Sequence, residues 1–406
     1  MTRTETNKYF TLLSLYLAQS IPMSFFSTVV PVIMRMENYS LESIGYLQLI
    51  KLPWIIKFLW APLVDKSCHS SGQYRKWILL SEGFYALVIL SIGFLNLETN
   101  FTTIIAMMVI AFTASATHDI ATDAFAILIL KEKERSLGNS MQSAGNFLGT
   151  LVGSGVLLVI YHYYGWQYLL FALAGFVLLA IIPVMLYPAK EKRQPDRLLK
   201  KISMLEFIWF FKQKRIGVHL LLLFLFYSGL IGILTMIKPY MVDLGYDMKE
   251  IGFISGIFGT ACGAIMTIPA GIMIRKIGLS KAVWIFPTIN LLAAAYFLGL
   301  TYTNHSLYLI YIGVGLLWTA YAMSSVFVYT LAMKIVRKGR EGTDFTIQIV
   351  ITHLSSLIIA VLSGKVADAV TYRGLFAMEA LLGLFIFIVI PIIFKNNFYN
   401  RYADSR

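Results

Sequence analysis

The chain has 406 residues, of which 58% are apolar and only 14% are charged, and its net charge is +13. A soluble domain carries roughly 25% charged residues. The composition therefore excludes a soluble globular protein and indicates a chain that crosses a membrane many times. The two cysteines, Cys68 and Cys262, lie far apart without a CxxC spacing, so they predict neither a metal site nor a redox site.

Twelve apolar segments follow one another along the chain, each long enough to cross a bilayer. Only helices satisfy their own backbone hydrogen bonds in lipid at this length, so we predict an all-α membrane protein with twelve transmembrane helices. The predicted spans cover 9–34, 43–64, 77–95, 101–129, 137–160, 167–187, 217–238, 250–273, 282–301, 306–333, 345–363 and 375–394. The first span is too long for the core of a signal peptide, so we expect it to remain in the protein.

Lysine and arginine are distributed unevenly between the two sides of the membrane. Of the 34 such residues, 27 lie in segments on the side of the two termini, five lie on the opposite side, and two lie within the second span. Cytoplasmic loops carry the excess of basic residues. We therefore predict that both termini and the middle loop are cytoplasmic, an arrangement that explains the net charge without a nucleic-acid partner.

The longest predicted loop, 188–216, divides the chain into two groups of six spans. It begins with a polar, basic stretch and continues into an aromatic and aliphatic one. This order predicts a cytoplasmic linker followed by an amphipathic helix at the membrane surface. The predicted domains are thus a six-helix bundle at 1–187, the linker, and a second six-helix bundle at 217–406.

The two halves show signs of duplication. Residues 39–46 align with 246–253, and Pro62 falls on Pro269 at the same offset. Parallel repeats of six spans occur in secondary transporters. The pattern therefore predicts two six-helix pseudo-repeats.

Glycines recur at every fourth position in the fifth span, at Gly145, Gly149 and Gly153. Small residues at this spacing allow the backbones of neighbouring helices to approach closely. We expect these glycines to serve static packing, and a moving interface between helices would use the same surface.

Four ionisable side chains lie well inside predicted spans: Lys51 and Lys57 in the second, and Asp119 and Asp123 in the fourth. A charge at bilayer depth costs at least ~2.5–3.5 kcal/mol, so each needs a partner or a water-filled cavity. Counting residues from the cytoplasmic span ends pairs Lys57 with Asp123 and Lys51 with Asp119. Two close carboxylates favour protonation of one of them, and the lysines oppose it. The pattern predicts a proton-coupling site, with a static ion network as the alternative.

Polar side chains at helical spacing form candidate substrate contacts in several spans. The alternative is hydrogen bonding between helices. The candidate lining residues are Gln19, Gln142, Asn146, Trp318, Tyr321, Gln348 and Thr352. His118 points to a different helix face from Asp119 and could relay a proton. His219 and His353 are expected to serve packing or hydrogen bonding, and Glu82 and Glu379 could pair with basic residues of the loops.

No catalytic or nucleotide-binding motif occurs in the chain: HExxH, GxSxG, the Walker A pattern and CxxC are all absent. The sequence therefore predicts neither an enzyme nor a cofactor or metal site. Without an ATP-binding domain, uphill transport would require an ion gradient.

Two motifs resemble a known family. The run from Lys57 to Asp65, followed by Arg75 and Lys76, and the run 114–123 are similar to the signature of AmpG-type muropeptide permeases. These proteins form a branch of the major facilitator superfamily that also includes acetyl-CoA transporters and RhtX/FptX-type siderophore permeases. The first half of the chain carries nearly all of the resemblance.

The resemblance implies functional roles for Lys57, Asp119 and Asp123, and a cytoplasmic gating loop formed by Asp65 with Arg75. In this chain 68–72 replaces the usual glycine-and-arginine pattern of that loop. AmpG-like proteins usually carry glutamine at the position of His118. The compact length and the residues after Asp123 look closer to the siderophore permeases.

We therefore expect a proton-coupled secondary transporter in the bacterial inner membrane that imports a medium-sized polar solute such as a ferric siderophore. The alternatives are a muropeptide permease and a membrane receptor that does not transport. The expected partners are a small-molecule substrate, protons and the lipid bilayer, without nucleic acid, and the expected oligomeric state is a monomer.

Overall fold

The computed structural model describes residues 3–36, 48–68, 70–96, 99–188, 203–303 and 306–395, and within these ranges all regular structure is helical. The α-helices of the first half are α1 (Arg3–Ser24), α2 (Val30–Met36), α3 (Leu52–Ile56), α4 (Ala61–Ser67), α5 (Ser71–Ile92), α6 (Phe101–Ile129), α7 (Arg135–Leu151), α8 (Leu157–Ala180), α9 (Ile182–Leu186) and α10 (Glu206–Phe211). Those of the second half are α11 (Ile216–Leu225), α12 (Ser228–Asp243), α13 (Met248–Ile251), α14 (Gly259–Ile277), α15 (Leu279–Leu300), α16 (Leu307–Lys334) and α17 (Glu341–Lys395). The all-α prediction is confirmed.

Two helices run through the boundary between neighbouring predicted spans: α8 joins the fifth span to the sixth, and α17 contains the eleventh and the twelfth. Helix α8 has a sharp bend at Gly165 (φ 78°), and α17 has one at Val370 and Thr371. Glycine adopts a positive φ without steric cost, so Gly165 allows the chain to turn between the fifth and sixth spans. Seven helices within the described residues are long and apolar enough to cross a membrane, and two of these contain the bends.

The second predicted span is not one regular helix. A 3₁₀ turn at Gln48–Lys51 leads into α3, and a second 3₁₀ turn at Lys57–Leu59 leads into α4. Pro53 and Pro62 lie in the first turns of α3 and α4, where the missing N–H group costs least. The prolines thus divide the span into short helices. Because a 3₁₀ helix rises ≈ 2.0 Å per residue instead of 1.5 Å, depths counted along a regular helix do not hold here.

The chain forms two compact units. Unit 1 comprises Met1–Glu132, Ala144–Trp209 and Val336–Ile347, and unit 2 comprises the intervening segments. Each unit is therefore built mainly from one predicted half, together with a short segment of the other. The predicted division at 188–216 and the duplication remain predictions, and the repeat segment 39–46 lies outside the described residues.

The core of unit 1 is apolar and rich in aromatic rings. Phe26 packs edge-to-face against Phe25 and Phe112, with ring centroids 4.8 and 5.1 Å apart. Helices α5 and α6 pack against each other along their length, and α8 packs against α5. Helix α6 is consequently buried for most of its length, and this burial places its polar side chains in the interior of unit 1.

The helix at the end of the linker, α10, exposes Trp209 and Phe211 and buries Glu206. The carboxylate of Glu206 accepts hydrogen bonds from Arg337 (3.0 Å) and Arg340 (2.9 Å), and all three residues belong to unit 1. Burial alone would raise the pKa of Glu206, but the hydrogen bonds and charges of the two arginines outweigh it and lower the pKa. The segment predicted to be amphipathic therefore also contains a buried carboxylate that pairs with two arginines.

The glycines of the fifth span pack against α1 within unit 1. A Cβ atom at Gly149 would lie 2.6 Å from Cβ of Ser20, and one at Gly145 would lie 2.7 Å from the carbonyl oxygen of Leu13. A Cβ atom at Gly153 would overlap the carbonyl oxygen of Ile21. Since backbone atoms cannot rotate away, these glycines are needed for the close packing of the two helices.

The variant Gly153→Ala is expected to lower the thermal stability of the protein, because the new methyl group must push α1 outward. Overpacking of this kind costs about 1–3 kcal/mol. Gly155→Ala is the matched control, since a Cβ atom there meets nothing within 4 Å. Melting temperatures in the same detergent would compare the two, and equal losses would contradict this packing.

Candidate functional site

Unit 1 contains a buried ionic cluster where α1, α6 and the 3₁₀ turn Lys57–Leu59 meet. The ammonium group of Lys57 pairs with one carboxylate oxygen of Asp119, and the side-chain amide of Gln19 donates to the other. Lys57 is fully buried, and Asp119 is 4% exposed. A charge at this depth is stable only with a partner, so Lys57 and Asp119 depend on each other.

A second carboxyl group lies one turn further along α6. Asp123 accepts a hydrogen bond of 2.7 Å from the hydroxyl of Tyr16 and is 1% exposed. The ring of Trp54 lies 4.5 Å from the Lys57 ammonium, a distance suited to a cation–π contact. The cluster thus combines one cation with two carboxyl groups in a shared apolar environment. One carboxyl group can be balanced by Lys57, and the other can carry a proton.

The predicted pairing of Lys57 with Asp123 is wrong. Lys57 pairs with Asp119. Lys57 lies ten residues before the end of α4 at Ser67, and Asp119 lies ten residues before the end of α6 at Ile129. The prediction ended the second span too early and ignored its 3₁₀ turns. Lys51 lies at the start of α3, half-buried, and the described contacts of Asp119 are those with Lys57 and Gln19.

Two members of this cluster were not predicted from the sequence. Tyr16 is three residues before Gln19, so a shared helix face could have revealed it. Trp54 is three residues before Lys57 and could have been found in the same way if the local helix had been assumed. Aromatic residues are so common in this chain that neither carried a distinctive signal.

Of the predicted lining residues, Gln19 belongs to the ionic cluster, and the others lie elsewhere. In unit 1, Asn146 accepts a hydrogen bond of 2.6 Å from the hydroxyl of Ser20. In unit 2, Gln142 is buried, and its side-chain oxygen accepts no hydrogen bond from the described residues. The hydrogen bond of Asn146 fits the packing interpretation of these polar residues.

The lining residues of the second half lie together in unit 2. Tyr321 packs edge-to-face on Trp318 and on Tyr227, with ring centroids 6.3 and 5.7 Å away. The side-chain oxygen of Gln348 lies 2.6 Å from Nε2 of His219, and Thr352 donates to a backbone carbonyl of its own helix. Gln348 therefore joins two helices of this unit, and the packing role expected for His219 agrees with this contact.

Asp65 is fully buried at the end of the second span and accepts four hydrogen bonds within unit 1. The donors are the backbone N–H groups of Gly342 (2.9 Å) and Thr343 (2.7 Å), and the hydroxyls of Thr343 (2.6 Å) and Tyr74 (2.7 Å). Arg75 donates to the carbonyl oxygen of Tyr187 instead. The described contacts thus join Asp65 to the first turn of α17. A gating role for Asp65 and Arg75 remains a prediction.

The chain matches known proteins over most of its length. The model of the Major Facilitator Superfamily matches residues 10–247 and 219–401. The chain belongs to the major facilitator superfamily. It is therefore a multi-pass membrane transporter and not an enzyme, as the sequence predicted.

The curated relatives support the AmpG-type resemblance. The anhydromuropeptide permease of Escherichia coli K12 is 25% identical over 362 residues, which cover 88% of this chain and 74% of the permease. A protein of Haemophilus influenzae is 27% identical over 93% of both chains. The predicted resemblance to AmpG-type permeases is confirmed, whereas the comparisons give no support to the siderophore-permease side of the branch.

Solved structures show the same fold. A bacterial homologue of the iron transporter ferroportin in its outward-facing state superposes with a TM-score of 0.66, at 15% identity and full coverage of both chains. At this identity the likeness supports the fold alone. The predicted fold class is confirmed.

Proposed function

We propose that this protein is a proton-coupled permease of the bacterial inner membrane that carries an anhydromuropeptide or a closely related sugar–peptide. The buried Lys57–Asp119–Asp123 cluster is the observation that supports it most directly. A cation and two carboxyl groups sealed in apolar surroundings form an arrangement in which one proton can be bound or released. Superfamily membership supplies the transport framework for this chemistry.

The choice of substrate rests on the relatives and on the resemblance of two motifs. The run from Lys57 to Asp65 and the run 114–123 contain the cluster residues and are the same motifs that resemble AmpG-type permeases. The Escherichia coli relative is itself an anhydromuropeptide permease. The interpretation as a ferric-siderophore importer has no comparable support, so it becomes the competing substrate in the test.

In this proposal Lys57 and Asp119 form the switchable ion pair, and Asp123 carries the proton. A lysine buried against one carboxylate forms a pair with no net charge. The pair can open only if another charge or a proton compensates the two charges that are separated. A substrate carboxylate that pairs with Lys57 would open this pair, and the carboxylate of Asp119 would then have to be compensated by a proton bound nearby. Both termini are assigned to the cytoplasm by the positive-inside distribution of 27 against five basic residues.

Counterflow in proteoliposomes tests the substrate class. Vesicles loaded with unlabelled anhydromuropeptide are expected to take up the labelled compound, and vesicles loaded with a ferric siderophore are expected not to exchange it. Exchange of the siderophore alone would replace the proposed substrate. Saturable binding of the muropeptide without exchange would support the receptor alternative.

A further inference from the structure

A second pair of buried ionisable groups lies in unit 1, outside the Lys57 cluster. Glu82 on α5 is 1% exposed, and His118 on α6 is fully buried. Oε2 of Glu82 and Nδ1 of His118 lie 3.5 Å apart, which is longer than an ordinary hydrogen bond but close enough for a direct electrostatic interaction. The other ring nitrogen of His118 lies 3.3 Å from the hydroxyl of Thr122. Nδ1 of His118 forms no hydrogen bond within the described residues, and the carboxyl group of Glu82 faces it.

The two sites lie on different faces of α6. His118 faces Glu82 and contacts Thr122 four residues further along α6, whereas Asp119 faces Lys57 and Asp123 faces Tyr16. Successive residues of an α-helix are rotated by ~100°, so neighbours in sequence point to different partners. The same two turns of α6 therefore carry both sites, and His118 and Asp119 are joined by a single peptide bond.

The burial of this pair constrains its protonation. With no proton on the pair, the carboxylate of Glu82 would be an isolated buried charge. With one proton on each group, the imidazolium of His118 would be an isolated buried charge. Either state costs several kcal/mol. A single shared proton avoids both states. Between the two remaining forms, the acid with a neutral imidazole contains no separated charges, and an apolar interior favours it.

We propose that Glu82 and His118 form a second proton-binding site, in which one shared proton lies on Glu82 while the Lys57–Asp119 pair is closed. When that pair opens, the uncompensated carboxylate of Asp119 favours a positive charge on the adjacent His118. The O–H bond of Glu82 then breaks and an N–H bond forms at Nδ1 of His118. No other reactant is required, because the proton passes directly between the two groups. The role of this transfer in transport rests on the proposed function.

The titratable groups around the pair are few among the described residues. Tyr85 lies one turn along α5 from Glu82 and is fully buried. Asp119 and Asp123 follow on α6, and Lys57 faces them across the cluster. Lys57 is the only cation among these neighbours, so its pairing with Asp119 decides the charge that His118 meets.

Infrared spectroscopy of the purified protein tests the first part without any transport assay. The wild type is expected to show a carboxylic acid band at neutral pH that is lost in Glu82→Gln. Glu379→Gln, which removes a buried carboxyl group in unit 2, is the matched control and should retain this band. A carboxylate at Glu82 in the wild type, whatever the state of His118, would overturn the proposal. Because the protein is measured at rest, this result is independent of whether the proposed substrate is correct.

Nitrogen NMR of histidine-labelled protein tests the coupling. The signal of His118, assigned by its loss in His118→Gln, is expected to be that of a neutral ring in the wild type and of an imidazolium in Lys57→Met. The variant Lys51→Met is the control and should leave the ring neutral. A neutral ring in folded Lys57→Met would overturn the coupling. If Lys57→Met does not fold, Lys57→Gln takes its place, and its His118 ring is expected to be an imidazolium. In the double variant Lys57→Gln/Glu82→Gln, which lacks the proton of Glu82, this imidazolium is expected to be lost.

Discussion

Replacing Lys57 by methionine is expected to reduce muropeptide uptake at least ~100-fold. The substitution keeps the length of the side chain but leaves the carboxylate of Asp119 as a buried charge without a cation. Breaking a buried pair from one side costs about 3–5 kcal/mol in the conformation that keeps the pair closed, and each 1.4 kcal/mol corresponds to roughly tenfold in the population of that conformation within the folded protein. Initial uptake rates in proteoliposomes, normalised to the amount of folded protein, measure the effect.

A double variant separates the functional role of this pair from a structural one. Lys57→Met/Asp119→Asn contains no unpaired charge, so its melting temperature is expected to recover most of what Lys57→Met loses. Uptake is expected to remain absent, because the switchable pair is gone. Wild-type uptake by the double variant would show that the pair only fixes helix packing, which is the alternative that the sequence left open.

The second large effect is expected at Asp123. Its carboxyl group accepts a hydrogen bond from Tyr16 and is not paired with Lys57. Asparagine keeps the shape and the hydrogen-bond acceptor but cannot bind or release a proton. Asp123→Asn is therefore expected to lose accumulation driven by a pH gradient while it retains exchange of labelled for unlabelled substrate. Uptake with an imposed gradient and counterflow without one measure the two activities separately.

The control for Asp123→Asn is Glu379→Gln. Glu379 is a buried carboxyl group of unit 2 that accepts a hydrogen bond of 3.4 Å from Ser363. This variant is expected to keep its response to the gradient. An equal loss of gradient response in both variants would contradict a specific role of Asp123.

The energetic cost of charges in a membrane made the main site predictable. Lys57, Asp119 and Asp123 could be selected from the sequence because each would be unstable alone at bilayer depth. Their pairing could not be selected, because it depends on the 3₁₀ turn at Lys57–Leu59 and on where α4 ends. Proline positions indicate a disturbed helix, but they do not give its rise.

Contacts between residues far apart in sequence were the hardest to predict. Glu82 and His118 lie 36 positions apart on different helices, and no periodic pattern relates them. The hydrogen bonds from the first turn of α17 to Asp65 span more than 270 residues. Polar residues at helical spacing are easy to find in a sequence, but their role is hard to predict. The spacing identifies a shared helix face without showing whether that face meets substrate or another helix, as at Gln348.

The most direct test of proton coupling is the accumulation of labelled anhydromuropeptide by proteoliposomes under an imposed pH gradient. When the solution that supplies the labelled substrate is the more acidic one, vesicles with the wild-type protein are expected to accumulate the substrate above the equilibrium level. A protonophore is expected to abolish this accumulation. Reversing the gradient should abolish it too. Accumulation that is the same for both directions of the gradient, or that survives the protonophore, would contradict coupling through the buried cluster.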